Sequence, residues 1–240
     1  MFSFFKRSPK TNFYHVDLHS HLIPGIDDGV KDWEESLSII RKMEGLGIKK
    51  IITTPHIIHD YYPNTPQLIR EKVNELNELL TKKNVLVTIE AGAEYYIDEH
   101  FLNEVVTNQP LLSFGDNYIL VETPFINKLI FFEEVIFELQ SRGLKPILAH
   151  PERYTYLQEN YDLIDAIIEQ GVLLQININS LAGYYSKEAK NLAEFLIHKE
   201  KFHLLGSDIH NLKHLSTFEK AIKSKLFSKC GQLNLLNHSL

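Results

Sequence analysis

The chain has 240 residues, 44% of them hydrophobic and 23% charged, with a formal net charge of −6. That suits one large α/β domain and argues against nucleic-acid binding driven by overall charge. No apolar run approaches the roughly 20 residues that span a bilayer, and the sole cysteine, Cys230, rules out an intrachain disulfide framework and a thiolate metal site.

The first segment, Met1-Phe2-Ser3-Phe4-Phe5-Lys6-Arg7, puts its positive charges after an apolar stretch too short for a signal peptide. Residues 1–12 are therefore expected to form a loosely packed tail, with Phe2, Phe4 and Phe5 touching a membrane or a partner as the alternative. Residues 13–240 are expected to form a single domain, in the cytoplasm. Apolar, β-branched runs then predict strands at Tyr14–Leu18, Lys50–Thr54, Leu86–Ala91, Tyr118–Glu122, Pro146–Ala149, Leu173–Ile178 and His203–Gly206. Between them the helical period predicts Trp33–Leu46, Thr65–Lys82, Glu99–Asn108, Leu129–Arg142, Tyr161–Gln170 and Ser186–Lys199, with a last helix beginning near Leu215. Gly143 and Gly171 stand where C-terminal caps belong. Cys230 falls in a polar C-terminal stretch and reads as an incidental thiol. Leu236 occupies the position where a cysteine-dependent phosphatase loop needs arginine.

Strand-helix alternation over the whole length implies a parallel sheet, either a closed or nearly closed barrel or a doubly wound open sheet. The chemistry-bearing residues favour the barrel. His19 and His21, His56, Glu94, Glu122, His150, and Asp208 and His210 fall at the C-terminal ends of different strands. A barrel rim distributes chemistry in this way, whereas an open sheet concentrates it at a switch point. In a strand Asp17, His19 and His21 would share one face, with His15 there as support or core. His56 or Glu94 alone would read as an ordinary structural or solvated residue. Glu122 ends a very apolar strand and needs a partner such as a metal or an arginine. His59, His100, His198, His203, His214 and His238 fall outside the pattern. Imidazole and carboxylate together without sulfur suit Mn²⁺, Fe or Zn²⁺.

His19-Ser20-His21, Pro24-Gly25-Ile26-Asp27-Asp28-Gly29, Thr54-Pro55-His56, Ala91-Gly92-Ala93-Glu94, His150-Pro151-Glu152-Arg153-Tyr154 and Ser207-Asp208-Ile209-His210-Asn211 together resemble the polymerase-and-histidinol-phosphatase (PHP) superfamily. More narrowly, the chain resembles its bacterial tyrosine-phosphatase branch, which acts on kinases of capsule and exopolysaccharide synthesis. The resemblance runs from about Asp17 to Asn211. It implies a distorted (β/α)7 TIM-like barrel of PHP type holding three divalent metals, manganese first, with iron or zinc as alternatives. One metal would take His19, His21, Glu94 and Asp208. A second would share Glu94 and add Glu122 and His150, and a third would use Asp28, or Asp27 in its place, with His56 and His210. Arg153 matches an arginine that binds the phosphoryl group. A second arginine, often found after the Asp-x-His-Asn motif, is not matched, and Lys213 is the available substitute.

The implied substrate is a phosphotyrosine protein, a bacterial tyrosine kinase, with no nucleic-acid partner and a homo-oligomer left open. Clustered metals acidify a bridging water and bind phosphate, so no cysteine nucleophile is needed. Asp27, Asp28 and metal-bound water are the candidates for a general acid. Tyr61, Tyr62, Tyr95, Tyr96, Tyr154, Tyr184 and Tyr185 follow strand exits and are candidates for packing against the substrate ring. The rival readings are a histidinol-phosphate or other small-molecule phosphatase and a metal-stabilised binding module.

Overall fold

Every predicted strand run contributes a strand, but two of them break and resume. The computed structural model describes residues 13–240; the expected tail, with Phe2, Phe4 and Phe5, lies outside them. In chain order the elements are β1 (Val16–Leu18), α1 (Trp33–Leu46), β2 (Lys50–Thr53), β3 (His56–Ile57), α2 (Pro66–Lys82), β4 (Thr88–Ala91) and β5 (Glu94–Tyr96). Then come α3 (Glu99–Val106), β6 (Tyr118–Glu122), α4 (Phe132–Ser141), β7 (Lys145–Ala149), a 3₁₀ turn (Pro151–Arg153), α5 (Thr155–Gln158) and α6 (Asp162–Glu169). The last are β8 (Leu173–Asn177), α7 (Ile178–Leu181), α8 (Lys187–Lys199), β9 (Leu204–Gly206), α9 (Leu212–Ala221), α10 (Lys225–Cys230) and a 3₁₀ turn (Leu236–Ser239).

The helices start where short polar side chains satisfy first-turn amides. Asp32, Thr65, Asp98, Ser186 and Asn211 each accept a backbone N–H of α1, α2, α3, α8 and α9 respectively, a contribution of about 1 kcal/mol apiece. The expected helix from Leu129 starts only at Phe132, the N-terminal residue of α4, without a side-chain cap. The last long helix begins at Leu212 rather than Leu215, because Asn211 caps it.

All strand pairs are parallel, in a three-stranded sheet β1-β2-β4 and a six-stranded sheet β3-β5-β6-β7-β8-β9. The first sheet runs into the second. Pro55 has no N–H to continue β2, yet Gly92 N–H donates to Thr53 O at 2.9 Å and Glu94 N–H to Pro55 O at 3.1 Å, so pairing carries through the break. At the other edge His21 N–H donates to Ile209 O at 2.9 Å and Asp208 N–H to His19 O at 2.7 Å. The result is a distorted (β/α)7 barrel whose last join is made at the strand exits.

Lower on that seam the side chain of Asn237 takes the place of a ladder. It accepts from Leu205 N–H at 2.8 Å and donates to Leu205 O at 2.9 Å and Val16 O at 3.2 Å. Inside the barrel Leu18, Ile52, Leu120, Ile147, Ala149 and Leu204 form an apolar plug, with Leu236 and Leu240 packed against it. A second, larger layer joins the outer faces of the strands to the helices, including Ile39, Ile40 and Met43 of α1 against Ile51. Burying each such side chain stabilises the fold by roughly 1.5–3 kcal/mol. Cys230 belongs to this layer and not to an exposed polar tail; it is fully buried, and burial pushes its thiol up to about 12. Among the described residues no helix is long and apolar enough to cross a membrane.

Gly206 sits where the seam allows no side chain: a Cβ there would lie 2.1 Å from Leu18 O and 2.6 Å from Gln175 Nε2. Gly206→Ala is expected to cost about 3 kcal/mol or more in folding free energy. Urea unfolding checks this, and an unchanged midpoint would contradict the close packing of β1, β8 and β9.

Candidate metal centre

Each strand exit delivers its side chain to one rim. His19 and His21 follow β1, His56 opens β3, Glu94 opens β5, Glu122 ends β6, His150 follows β7, and Asp208 and His210 follow β9. The structure gathers these side chains, with Asp28 from the loop before α1, into four overlapping groups: His21, Asp28, His56 and His210; His19, His21 and Glu94; His19, His150 and Asp208; and His56, Glu94 and Glu122. Within each group the donor atoms lie within 4.8 Å of one another. All nine residues read as ligands from the sequence are therefore together.

The alternation by which Asp17 would share the face of His19 and His21 does not hold. Leu18 fills the barrel interior, and Asp17 turns to the seam, accepting from Ser207 N–H at 2.9 Å, Ser207 Oγ at 2.7 Å and Tyr14 Oη at 2.5 Å. Strand geometry stops at Leu18, and His19, with φ 90°, redirects the chain into the rim. His15 bonds the Gly47 carbonyl and takes no part.

His19 Nε2, His21 Nε2, Glu94 Oε2 and Asp208 Oδ1 form a tight quartet. His19 Nε2 lies 3.3 Å from His21 Nε2, 2.9 Å from Glu94 Oε2 and 3.3 Å from Asp208 Oδ1. His21 Nε2 lies 3.3 and 3.5 Å from the same two oxygens. Ligands about 2.0–2.1 Å from a tetrahedral cation stand about 3.3–3.4 Å apart, so the quartet has the dimensions of a metal shell. The opposite ring nitrogens are engaged, His21 Nδ1 with Asp27 Oδ2 at 2.7 Å and His19 Nδ1 with Gln175 Oε1 at 2.9 Å. With the proton held at Nδ1, each Nε2 lone pair is free for a cation.

Around Glu94 the pattern extends. His150 Nε2 is 3.1 Å from Glu94 Oε1 and 4.0 Å from Glu122 Oε2. His56 Nδ1 is 3.1 Å from Glu122 Oε1 and 3.4 Å from Glu94 Oε2 without an aligned hydrogen bond, a convergence of ligand atoms that fits a cation. At the outer edge Asp28 Oδ1 lies 3.5 Å from His56 Nε2 and 3.4 Å from His210 Nε2. Asp28 faces the two imidazoles, while Asp27 braces His21, the His56 amide (3.1 Å) and the Gly29 amide (2.9 Å) from behind. Gly29 is required for that loop, since a Cβ would fall 2.3 Å from His21 O.

Burial lowers the basicity of His19 and His21, but the Glu94 and Asp208 carboxylates around His19 and the Asp27 carboxylate beside His21 outweigh it and raise both. Burial likewise raises Glu94 and Asp208, and the surrounding imidazoles overcome it to hold both well below the usual carboxylate range. Protons and cations therefore compete for the same atoms. Three of the nine residues, His19 (φ 90°), His150 (φ 34°) and Asp208 (φ 50°), have left-handed backbones, each a cost on the order of 1–3 kcal/mol that the surrounding structure must sustain.

Arg153 Nη1 donates to Asp208 Oδ2 at 2.9 Å, and the guanidinium lies between two rings, 4.8 Å from the Phe125 centroid and 4.2 Å from that of Tyr185. Asp208 Oδ2 also accepts from Asn177 Nδ2 at 2.8 Å and Tyr185 Oη at 3.1 Å. Gln175, Asn177, Phe125 and Tyr185 were not singled out as supports of the ligands from sequence; an amide on every second residue of the apolar β8 was the available signal. Phe125, Arg153, Tyr185 and Asp208 border a cavity of about 410 Å³ that also includes Tyr62, Tyr96 and His214. His214, read as outside the pattern, braces the Asp208 carbonyl at 3.0 Å. Of the tyrosines suggested for the substrate ring, Tyr95 and Tyr154 are core residues whose hydroxyls accept the Leu112 and Thr123 amides. Tyr61 is exposed, and Tyr184 faces Lys213, whose Nζ sits 5.4 Å from its ring and does not border the cavity. Lys213 is not placed as a second clamp.

A parallel (β/α) barrel with an imidazole–carboxylate rim defines a PHP-type metal-site protein. A family model described as capsular polysaccharide synthesis, CpsB/CapC, matches residues 15–232, and the chain belongs to that family. The tyrosine-protein phosphatase YwqE of Bacillus subtilis (strain 168) is 35% identical over 199 residues, 82% of this chain and 78% of that protein. A chain from the crystal structures of YwqE from Bacillus subtilis and CpsB from Streptococcus pneumoniae, described as metal-dependent tyrosine phosphatases, superposes with a TM-score of 0.77 at 33% identity, covering 92% of this chain and 94% of that one. A histidinol phosphate phosphatase from Lactococcus lactis, complexed with zinc, L-histidinol and phosphate, shares the fold alone, with a TM-score of 0.53 at 15% identity over 88% and 93% of the two chains.

Asp27→Ala is expected to keep the fold and weaken divalent-metal affinity by about 10–100-fold, because it frees the His21 ring to rotate and change tautomer. Calorimetric titration with Mn²⁺ measures this directly; wild-type affinity in the variant would deny Asp27 its bracing role.

Proposed function

We propose that the chain is a metal-dependent protein-tyrosine phosphatase. Its substrate on this reading is a bacterial tyrosine kinase of polysaccharide synthesis, and its compartment the cytoplasm. The observation that carries the reading is the convergence of nine imidazole and carboxylate side chains, seven of which line one cavity with Arg153 while His19 and His21 lie buried against them. The relatives named as tyrosine-protein phosphatases support it. Three divalent cations, manganese first, are proposed. His19, His21, Glu94 and Asp208 would hold one, Glu94, Glu122 and His150 a second with His56 close by, and Asp28, His56 and His210 a third.

When bound, such cations acidify a coordinated water and offset charge on phosphoryl oxygens. The chain's own residues do the rest. Arg153 has one N–H fixed by Asp208 and its plane held between Phe125 and Tyr185, so its other donors meet the phosphoryl oxygens without loss of rotamer freedom at that moment. Asp28 is kept ionised by the His210 imidazole, which holds its carboxyl well below the usual range. It suits a ligand better than a proton donor, and Asp27 is occupied with His21. Tyrosine's phenol, with a pKa of about 10, departs with less protonic help than an aliphatic alcohol needs. With both aspartates engaged in this way, the site favours the aryl ester. Tyr62 and Tyr96, at the cavity wall, are the tyrosines placed to flank that ring.

The deciding experiment compares turnover of a phosphotyrosine peptide and of histidinol phosphate with Mn²⁺ present. Preference for the peptide is expected; preference for histidinol phosphate would move the chain to the small-molecule class. Metal loading without hydrolysis of either would make it a binding module. Arg153→Ala is expected to retain its metal and lose about a hundredfold or more in peptide turnover. Full activity in that variant, with metal content measured alongside, would remove Arg153 from the mechanism.

A further inference from the structure

The cavity at the rim continues past Arg153. A groove of about 520 Å³ runs along α5 to the first turn of α8, where Phe125, Gln158, Tyr185, Ser186, Glu188 and Ala189 line it. Phe125, Arg153 and Tyr185 border both spaces, so the stacked guanidinium is a ridge between them and not a wall. Anything bound at the rim through a phosphoryl group on Arg153 has its adjoining atoms at the mouth of this groove.

We propose that the groove is a specificity subsite for a basic residue, lysine or arginine, that flanks the phosphotyrosine in the substrate chain. The proposal rests on the phosphatase reading of the rim and adds which peptides it prefers. The aromatic faces of Phe125 and Tyr185 give an apolar bed for an aliphatic stem, and aromatic faces attract a cationic head. Most polar groups of the groove are already engaged. Gln158 Nε2 donates to Glu152 O at 2.8 Å, the Ser186 hydroxyl accepts the Ala189 amide at 2.9 Å, and the Thr155 hydroxyl bonds Phe125 O at 3.0 Å. The charge of Arg153 is balanced by Asp208 at 2.9 Å. Glu188, exposed in the first turn of α8, is the carboxylate at the groove's edge. A basic side chain meets complementary charge there, and an acidic one meets repulsion. Phe125 is still 39% exposed, so the bed has apolar surface left to cover.

The test uses Mn²⁺-loaded full-length protein and two sets of phosphotyrosine peptides that carry lysine or glutamate, one position at a time, within two residues of the phosphotyrosine. p-Nitrophenyl phosphate serves as a substrate too small to reach the groove. At one or more positions lysine is expected to give about fivefold higher kcat/KM than glutamate at low ionic strength. Glu188→Lys should erase or reverse that preference and Glu188→Gln should reduce it, both leaving p-nitrophenyl phosphate turnover within about twofold. Equal kcat/KM for the two peptide sets in the unmodified protein overturns the proposal. So does a Glu188→Lys protein, shown folded by its melting curve, whose preference is unchanged or whose peptide and p-nitrophenyl phosphate rates fall together. Absence of turnover on every substrate instead overturns the phosphatase reading itself.

Discussion

The rim exists because the two ends of the barrel meet. Asp17 on β1 accepts the amide and hydroxyl of Ser207, 190 residues away in sequence, and the same carboxylate takes the Tyr14 hydroxyl. Burial lifts its carboxyl to about 6, and the Tyr14 and Ser207 donors oppose that shift. Directly above, the backbones of His19 and His21 pair with Asp208 and Ile209. Neither end could supply the central quartet alone, since His19 and His21 come from one side and Asp208 from the other. A long-range seam of this kind brings contact between distant segments at a large loop-closure cost. It is sustained by the apolar plug beneath it, from Leu18 to Leu204, and by Asn237 acting as a short substitute strand.

Above the seam the problem is electrostatic. Glu94, Glu122 and Asp208 are nearly or fully buried, in a cage where desolvation penalises every charge. The structure answers at two distances. Close in, imidazole nitrogens stand 2.9–3.3 Å from an oxygen of each of these carboxylates. Farther out, Gln175, Asp27, Asn177 and Tyr185 spend their hydrogen bonds on orienting those same groups. The left-handed backbones of His19, His150 and Asp208 fit this picture. A strand continued regularly would carry each side chain past the rim, and a local reversal turns it inward. A cation held by the inner ligands, as proposed, would offset the crowding of lone pairs aimed at one another.

Much of this was legible in the sequence because a parallel barrel writes its chemistry at predictable places. An apolar run ending in His, Glu or Asp is conspicuous, and His19, His56, Glu94, Glu122, His150 and Asp208 all end or follow one. Helices α1, α2 and α8 could be bounded to within a residue because Asp32, Thr65 and Ser186 stand at their caps. What stayed hidden depends on three-dimensional partners. The division of β2 from β3 at Thr54–Pro55, and of β4 from β5 at Gly92–Ala93, is a consequence of bending the sheet and leaves only a proline and a glycine as traces. Period-two alternation puts Asp17 on the face of His19 and His21, and it fails here because His19 takes a positive φ, which composition does not reveal for histidine. Cys230 and Asn237 lie in a stretch whose polarity suggested solvent, whereas its Leu, Phe and Cys side chains dock under the barrel. The supports of the ligands are only partly legible: the alternate amides Gln175 and Asn177 stand out in the apolar β8, but an orienting amide has no spacing rule relative to the histidine it holds.

On the proposed phosphatase reading, the position of Arg153 joins catalysis to recognition. Where two arginines would grip a phosphoryl group from two sides, this chain places one, and Lys213 is turned to Tyr184 instead. A single guanidinium must then be positioned by something other than a second cation. Asp208 fixes one edge of it, which also ties the phosphate donor to the inner metal quartet through a shared carboxylate. Phe125 and Tyr185 fix its plane, and because each ring has a second face, the clamp also borders the neighbouring groove. A side chain settling on Phe125 or Tyr185 would therefore pack beside the group proposed to hold the phosphoryl oxygens. Contacts made by residues beside the phosphotyrosine are in this way positioned to act on the reacting end of the substrate as well as on its retention, since both bear on the same stacked arginine.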